Sequence, residues 1–216
     1  MSREQVYVYG AGGHGKVVSE ILRALAWPIT GFLDDAKSPG AAILGLPVIS
    51  PSQLMNQHCA RNEIRIALGI GDNRARQRIA ERCASWGLEL LTPVHPSANV
   101  SPSARLGTGT VVMPGALVNA EADVGRGVIL NTGAIVEHDC KVGDYAHLSS
   151  NSVLGGAARI GSFAHLGLGA VVLPGVTVGS HATIGAGAVV TRDIPEGVVA
   201  LGVPARIRIL VSESAF

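Results

Sequence analysis

The stretch VGRGVILNTGAIVEHDCKVGDYAHL, residues 124–148, decides how this chain folds. Every sixth residue in it is aliphatic: Val124, Leu130, Val136, Val142 and Leu148. Followed outward, the step of six runs from Val100 to Val190 through sixteen consecutive hexads without a break. Four residues after each aliphatic stands a mostly small one, as at Ala116, Ala134, Cys140, Ala146, Ala164 and Ala188. A period of six matches neither the 3.6 of an α-helix nor the simple alternation of a strand. It suits a triangular parallel β-helix, with one hexad per face and three hexads per coil. Sixteen hexads make about five coils, roughly 25 Å of prism at ~4.8 Å per strand spacing. Glycine often follows the aliphatic residue (Gly107, Gly125, Gly143, Gly161, Gly179, Gly185), where it is expected to supply unusual φ at the turns. Flat faces of Ala, Val and Gly with little charge point to side-by-side packing as a homotrimer.

Upstream of residue 96 the pattern changes. Gln5–Tyr9 and Ile29–Leu33 read as strands, and His14–Ala26 carries Val17, Val18, Ile21, Leu22 and Leu25 at helical spacing. A short helix over Ser50–Ala60 opens with a capping serine and a proline. A strand over Glu63–Ile70, a helix over Asn73–Trp86 and a strand over Leu88–Thr92 follow. Strands alternating with helices imply a parallel sheet covered on both faces. The expected organisation is an α/β unit, small and Rossmann-like, over residues 1–95, then the β-helix with a tail over residues 96–216.

Composition narrows the function. Net charge is +1 and charged residues are 15%, so no strong field favours nucleic acid or an anionic membrane. No apolar run approaches the ~20 residues that span a bilayer. The opening Met1-Ser2-Arg3-Glu4-Gln5 has no apolar signal segment, so a cytoplasmic location is expected. Cys59, Cys83 and Cys140 are odd in number and lack zinc spacing.

Three segments meet at the C-terminal edge of the expected sheet, where such folds bind ligands. Gly10, Gly12, Gly13, His14 and Gly15 form a GxGxxG loop between strand and helix, suited to a diphosphate. Asp34 and Asp35 end the second strand, with Lys37 beyond them. Gly71, Asp72 and Asn73 end the third, and Arg76 follows one turn later. The glycine loop alone does not separate NAD from a nucleotide sugar. In the repeat, His138 and Asp139 point outward, and one coil on stands Gly156. An imidazole beside a residue with no side chain and a free amide offers a general base and an oxyanion donor, the needs of acyl transfer. His147 and His165 lie eighteen residues apart and should stack on adjacent coils; no metal is expected there. Two other classes remain open: a nicotinamide-dependent oxidoreductase, which leaves the β-helix unexplained, and a non-catalytic trimeric scaffold.

These residues together resemble one family. Gly10–Gly15 as GAGGHG, Phe32-Leu33-Asp34-Asp35, Gly71-Asp72-Asn73, Leu130-Asn131-Thr132, Glu137-His138-Asp139-Cys140 and the ending Gly202-Val203-Pro204-Ala205-Arg206 are similar to the PglD/NeuD-type sugar acyltransferases. The resemblance implies a left-handed β-helix and a trimer that binds acetyl-CoA between subunits. It implies N-acetylation of the 4-amino group of a UDP- or GDP-linked amino-dideoxy sugar; related members O-acetylate sialic acid. By position, His138 matches the general base and Asp139 the acid beside it. Asn131 and His147 match the sugar pocket, and Gly156 the amide over the thioester. Gly167, Gly202, Pro204, Ala205 and Arg206 match the acetyl-CoA side. His165 has no counterpart and reads as a surface residue.

Overall fold

The computed structural model describes residues 5–56 and 63–208. Cys59, the end of the expected 50–60 helix and the tail beyond residue 208 lie outside the described residues. The first unit is a six-stranded sheet in the order β3-β4-β2-β1-β5-β6, parallel except for the β3–β4 hairpin. Its elements are β1 (Gln5–Tyr9), α1 (Gly13–Ala24), β2 (Ile29–Leu33), β3 (Ala42–Ile43), β4 (Leu46–Ile49), α2 (Pro51–Met55), β5 (Ile64–Leu68), α3 (Asn73–Ser85) and β6 (Glu89–Leu90). Alternation along β1 divides the core. Val6 and Val8 pack with Val18, Ile21 and Leu22 of α1, while Tyr7 and Tyr9 pack with Ala80 and Cys83 of α3. Asp72 caps α3 by accepting the Ala75 N–H at 2.7 Å.

From residue 99 to residue 190 the chain winds as a left-handed parallel β-helix. Strands pair with the strand eighteen residues on, as in Leu117↔Ile135 and His147↔His165. One face carries Val111, Ile129, His147, His165 and Thr183; the second carries Leu117, Ile135, Val153, Val171 and Val189. The third carries Arg105, Asp123, Lys141, Arg159 and Thr177. The hexad aliphatics from Val112 to Val190 and the small residues between them form one continuous buried core. The expectation for the glycines is corrected in one respect. Gly107, Gly143 and Gly161 do not take positive φ; a Cβ on them would lie 2.3–2.5 Å from backbone of the next coil. Positive φ falls two residues later, at Gly109, Gly127 and Gly133 but also at Glu121, Asp139, Tyr145, Asn151, Phe163 and His181.

The first unit seats on the face that carries Val111 and Ile129. Val111 and Met113 join the α1-side core, and Tyr145 joins the α3-side core. Arg76 fastens the seam. It is fully buried, with Nε donating to the Gly127 carbonyl at 2.6 Å and Nη2 to the Tyr145 carbonyl at 2.8 Å. Nη1 donates to the carbonyls of Ile70 and Gly71 at 3.1 and 2.9 Å. Burial pulls its guanidinium down to about 10, so it remains a cation at neutral pH. Spacing alone puts Arg76 beside the ligand edge; the structure makes it a clamp between the two units.

Candidate active site

His138 and Asp139 occupy the corner between the second and third faces. Asp139 takes the left-handed conformation (φ 60°), and its Oδ2 lies 2.7 Å from His138 Nδ1. A carboxylate accepts only, so Nδ1 carries the proton and Nε2 presents its lone pair. Both side chains are more than half exposed. Gly156 lies directly beneath the ring: a Cβ there would stand 2.6 Å from both Cε1 and Nε2. The space left by the missing side chain is therefore filled by the imidazole itself rather than open as a hole. The Gly156 carbonyl accepts from Gly175 N–H at 2.9 Å, and its own N–H has no partner among the described residues. One corner thus holds an imidazole, the carboxylate bonded to it and a free amide.

The second cluster lies at the seam. Asn131 Nδ2 stands 3.2 Å from His147 Nε2, and His14 from α1 faces the same ring at 6.4 Å between centroids. Burial, then the Arg76 charge, lowers the His14 imidazole to about 4. Burial, then His165, Arg76 and His14, lowers His147 to about 3. Both are neutral at pH 7. His165 is not a free surface residue: it packs on His147 with 4.8 Å between tilted rings and is half-buried. His147 and His165 line a crevice of about 470 Å³ with Gly71, Asp72, Asn73 and Thr183. Among the described residues, no group of three or more His, Cys, Asp or Glu is arranged to hold a metal.

The glycine loop divides its labour. A Cβ on Gly10 would lie 2.5 Å from the Gly69 carbonyl oxygen, and one on Gly15 1.8 Å from that of Gly10, so these two permit close packing. Gly12 and Gly13 have open space above them, and so does Gly71. Asp34 organises the edge. Its Oδ2 accepts from Ala11 N–H at 2.8 Å, and its Oδ1 from Ala36 and Lys37 N–H at 2.9 and 3.0 Å. Burial would raise that carboxyl, but the three amides and the Lys37 charge hold it below the usual range. Asp35 pairs with Arg82 and accepts from the Tyr9 hydroxyl at 3.1 Å. These residues line a crevice of about 440 Å³ walled by Ile70, Ala75 and Ile79.

Of the residues expected to meet acetyl-CoA, Gly167 packs against Ala186 of the next coil. Gly202, Pro204, Ala205 and Arg206 belong to the hairpin that closes the prism, with Ala205 buried and Arg206 exposed. Within one chain, His138, Asp139 and Gly156 sit at one corner, while Asn131, His147 and His14 gather at the seam on another face. Sequence reasoning missed the Tyr9–Asp35–Arg82 cluster and the burial of Arg76. Their partners lie far along the chain, and no local spacing signals them.

Comparison with known proteins bears on this arrangement. The PglD N-terminal domain family matches residues 5–83, and the bacterial transferase hexapeptide family (six repeats) matches residues 157–192. The chain is 44% identical to PerB from Caulobacter crescentus, solved with CoA and GDP-perosamine; the match covers 94% of this chain and 97% of that one, with a TM-score of 0.88. It is 40% identical to the acetyltransferase domain of PglB from Neisseria gonorrhoeae FA1090, solved with acetyl coenzyme A, over 95% and 100% of the two chains, with a TM-score of 0.88. A UDP-N-acetylbacillosamine N-acetyltransferase of Bacillus subtilis (strain 168) is 37% identical over 121 residues, covering 50% of this chain and about half (51%) of that relative. Among the described residues, no helix is long and apolar enough to cross a membrane.

Proposed function

The chain belongs to the PglD-type sugar N-acetyltransferases of the left-handed β-helix class, and within that family we propose that it transfers acetyl from acetyl-CoA to the 4-amino group of a UDP- or GDP-linked amino-dideoxy sugar. One observation carries the reading: a His138–Asp139 pair seated on Gly156, with the Nε2 lone pair and a free amide at the same corner. The loop of Gly12 and Gly13, with Gly71 from the turn before α3, receives the diphosphate, and the edge formed by Asp34, Asp35 and Lys37 receives the nucleoside. Asn131 and His147 line the sugar pocket. Gly167 and the closing hairpin from Gly202 to Arg206 take the coenzyme.

His138 and His147 lie on different sides of one prism, so the complete site forms between subunits of a homotrimer. The half-exposed stripe Leu117, Ile135, Val153, Val171 and Val189 on the second face supplies the apolar contact surface. We place the enzyme in the cytoplasm, where acetyl-CoA and nucleotide sugars are made.

His138 Nε2 takes a proton from the amine as its nitrogen bonds to the thioester carbonyl carbon. The Gly156 N–H donates to the oxyanion of the tetrahedral intermediate. The C–S bond then breaks, the oxyanion returns to a carbonyl, and His138 gives its proton to the departing thiolate. Cys140 takes no part: it is buried in the core, and burial raises its thiol. The test is His138→Ala, expected to lower kcat by roughly 10²–10⁴ with little change in KM. Wild-type turnover in that variant refutes the base assignment.

A further inference from the structure

The orientation of the Asn131 amide is fixed, because its Oδ1 accepts the Thr132 N–H at 2.8 Å. Nδ2 therefore faces His147 Nε2 as donor, and Nε2 must be the unprotonated nitrogen. The ring proton sits on Nδ1, which is buried and turned toward the Gly71 backbone, short of good hydrogen-bond geometry. One N–H of the Asn131 amide is used on His147, which leaves the other for a ligand. The same rung recurs eighteen residues on, where Ser149 Oγ lies 3.1 Å from His165 Nε2. The two imidazoles stand 4.8 Å apart at 30°. On the following coil Gly167 and Thr183 occupy the equivalent places, so the ladder ends at His165.

We propose that His165 is a positioning residue: anchored by Ser149, it packs His147 as a neutral Nδ1–H imidazole whose Nε2, together with the Thr132 N–H, holds the Asn131 amide aimed into the sugar pocket. The inference rests on the proposed role of Asn131 and His147 as lining of that pocket. The groups that face His147 are His165 from the next coil, Arg76 from α3 and His14 from α1. Asp72, which lines the same crevice, has its carboxylate engaged with the Ala75 amide. Protonated His147 would bring an Nε2–H against the Asn131 NH₂, and His165, Arg76 and His14 also favour the neutral form; only the Gly71 backbone pulls the other way. With His165 cut back, the ring gains room to rotate and either nitrogen can face the amide.

Long-range proton–nitrogen NMR of the imidazoles tests this without any assumption about the acceptor. In wild-type protein His147 should show the Nδ1–H tautomer from pH 8 to pH 5 without titrating. His165→Ala should give mixed tautomers, and kcat should fall about ten-fold with the acetyl-CoA KM unchanged. His165→Phe refills the ring volume and should restore the tautomer and most of kcat. An unaltered His147 tautomer in His165→Ala overturns the proposal, as does wild-type kcat in that variant. If the wild-type enzyme acetylates none of the amino sugars, the functional reading fails instead, and the tautomer result still decides the role of His165.

Discussion

Gly156→Ala isolates the contact on which catalysis is argued to depend. The new Cβ would stand 2.6 Å from His138 Cε1 and Nε2. Carbon atoms rest at ~3.5–4.0 Å, so the imidazole must retreat by roughly 1 Å. The retreat is cheap for the fold: the His138 side chain is 63% exposed and free to swing outward, and Gly156 does not adopt the left-handed backbone. Stability should therefore change by less than ~1 kcal/mol. Catalysis should not be spared, because misplacing a reacting group by about 1 Å costs on the order of 100-fold. Steady-state kinetics with varied nucleotide sugar should show kcat down about 100-fold and KM for the sugar unchanged, beside a urea midpoint close to wild type. Wild-type kcat in Gly156→Ala would refute the seating of His138 on Gly156 as the catalytic geometry. A large loss of stability would refute the claim that the corner is free to relax.

Arg76→Met strips the donors from buried carbonyls at the seam and should cost on the order of 3 kcal/mol, read by urea denaturation; an unchanged midpoint would contradict the clamp. Asp139→Gly should hold stability within ~1 kcal/mol, since relief of the left-handed φ offsets the extra freedom of glycine in the unfolded chain. Its kcat should fall at least ~10-fold as His138 loses its orienting partner. Thermal stability should drop as pH falls. His14 and His147 have folded values of about 4 and 3, below the unfolded value of 6.5, so the unfolded chain binds more protons through that window. Stability is full above about pH 6.5 and declines below it, by roughly 2 kcal/mol per imidazole at pH 5. A melting temperature that is flat from pH 8 to pH 5 would contradict the buried neutral seam.

The β-helix is legible because its core is periodic: each hexad repeats the same burial problem, and sixteen repetitions leave no competing pattern. The role of individual glycines is less legible. Gly107 directly follows an aliphatic and avoids a neighbouring coil, while Gly127 stands third after one and supplies positive φ, a division that only the structure reveals. The hairpin of Ala42–Ile43 and Leu46–Ile49 escapes a local reading because its turn runs through Leu44 at φ 51°, where Asn or Asp would signal it, and Pro47 interrupts the second strand. His138 and Gly156 are legible together through the eighteen-residue coil. Arg76 is not, because its acceptors across the seam are carbonyls 51 and 69 residues away, and a carbonyl leaves no mark in a sequence. His165 reads as surface until the next rung of the ladder and the crevice wall are both in view.

The central claim is acetyl transfer to a sugar amine, and a thiol-release assay tests it most directly. Acetyl-CoA would be offered with UDP- and GDP-linked 4-amino-4,6-dideoxy sugars, their 4-hydroxy counterparts and free sialic acid. Release with one of the amino sugars, abolished in its hydroxy analogue, is the predicted result. Release with the hydroxy sugars or sialic acid alone would contradict N-acetylation, and silence with every amino sugar would contradict the assigned acceptor.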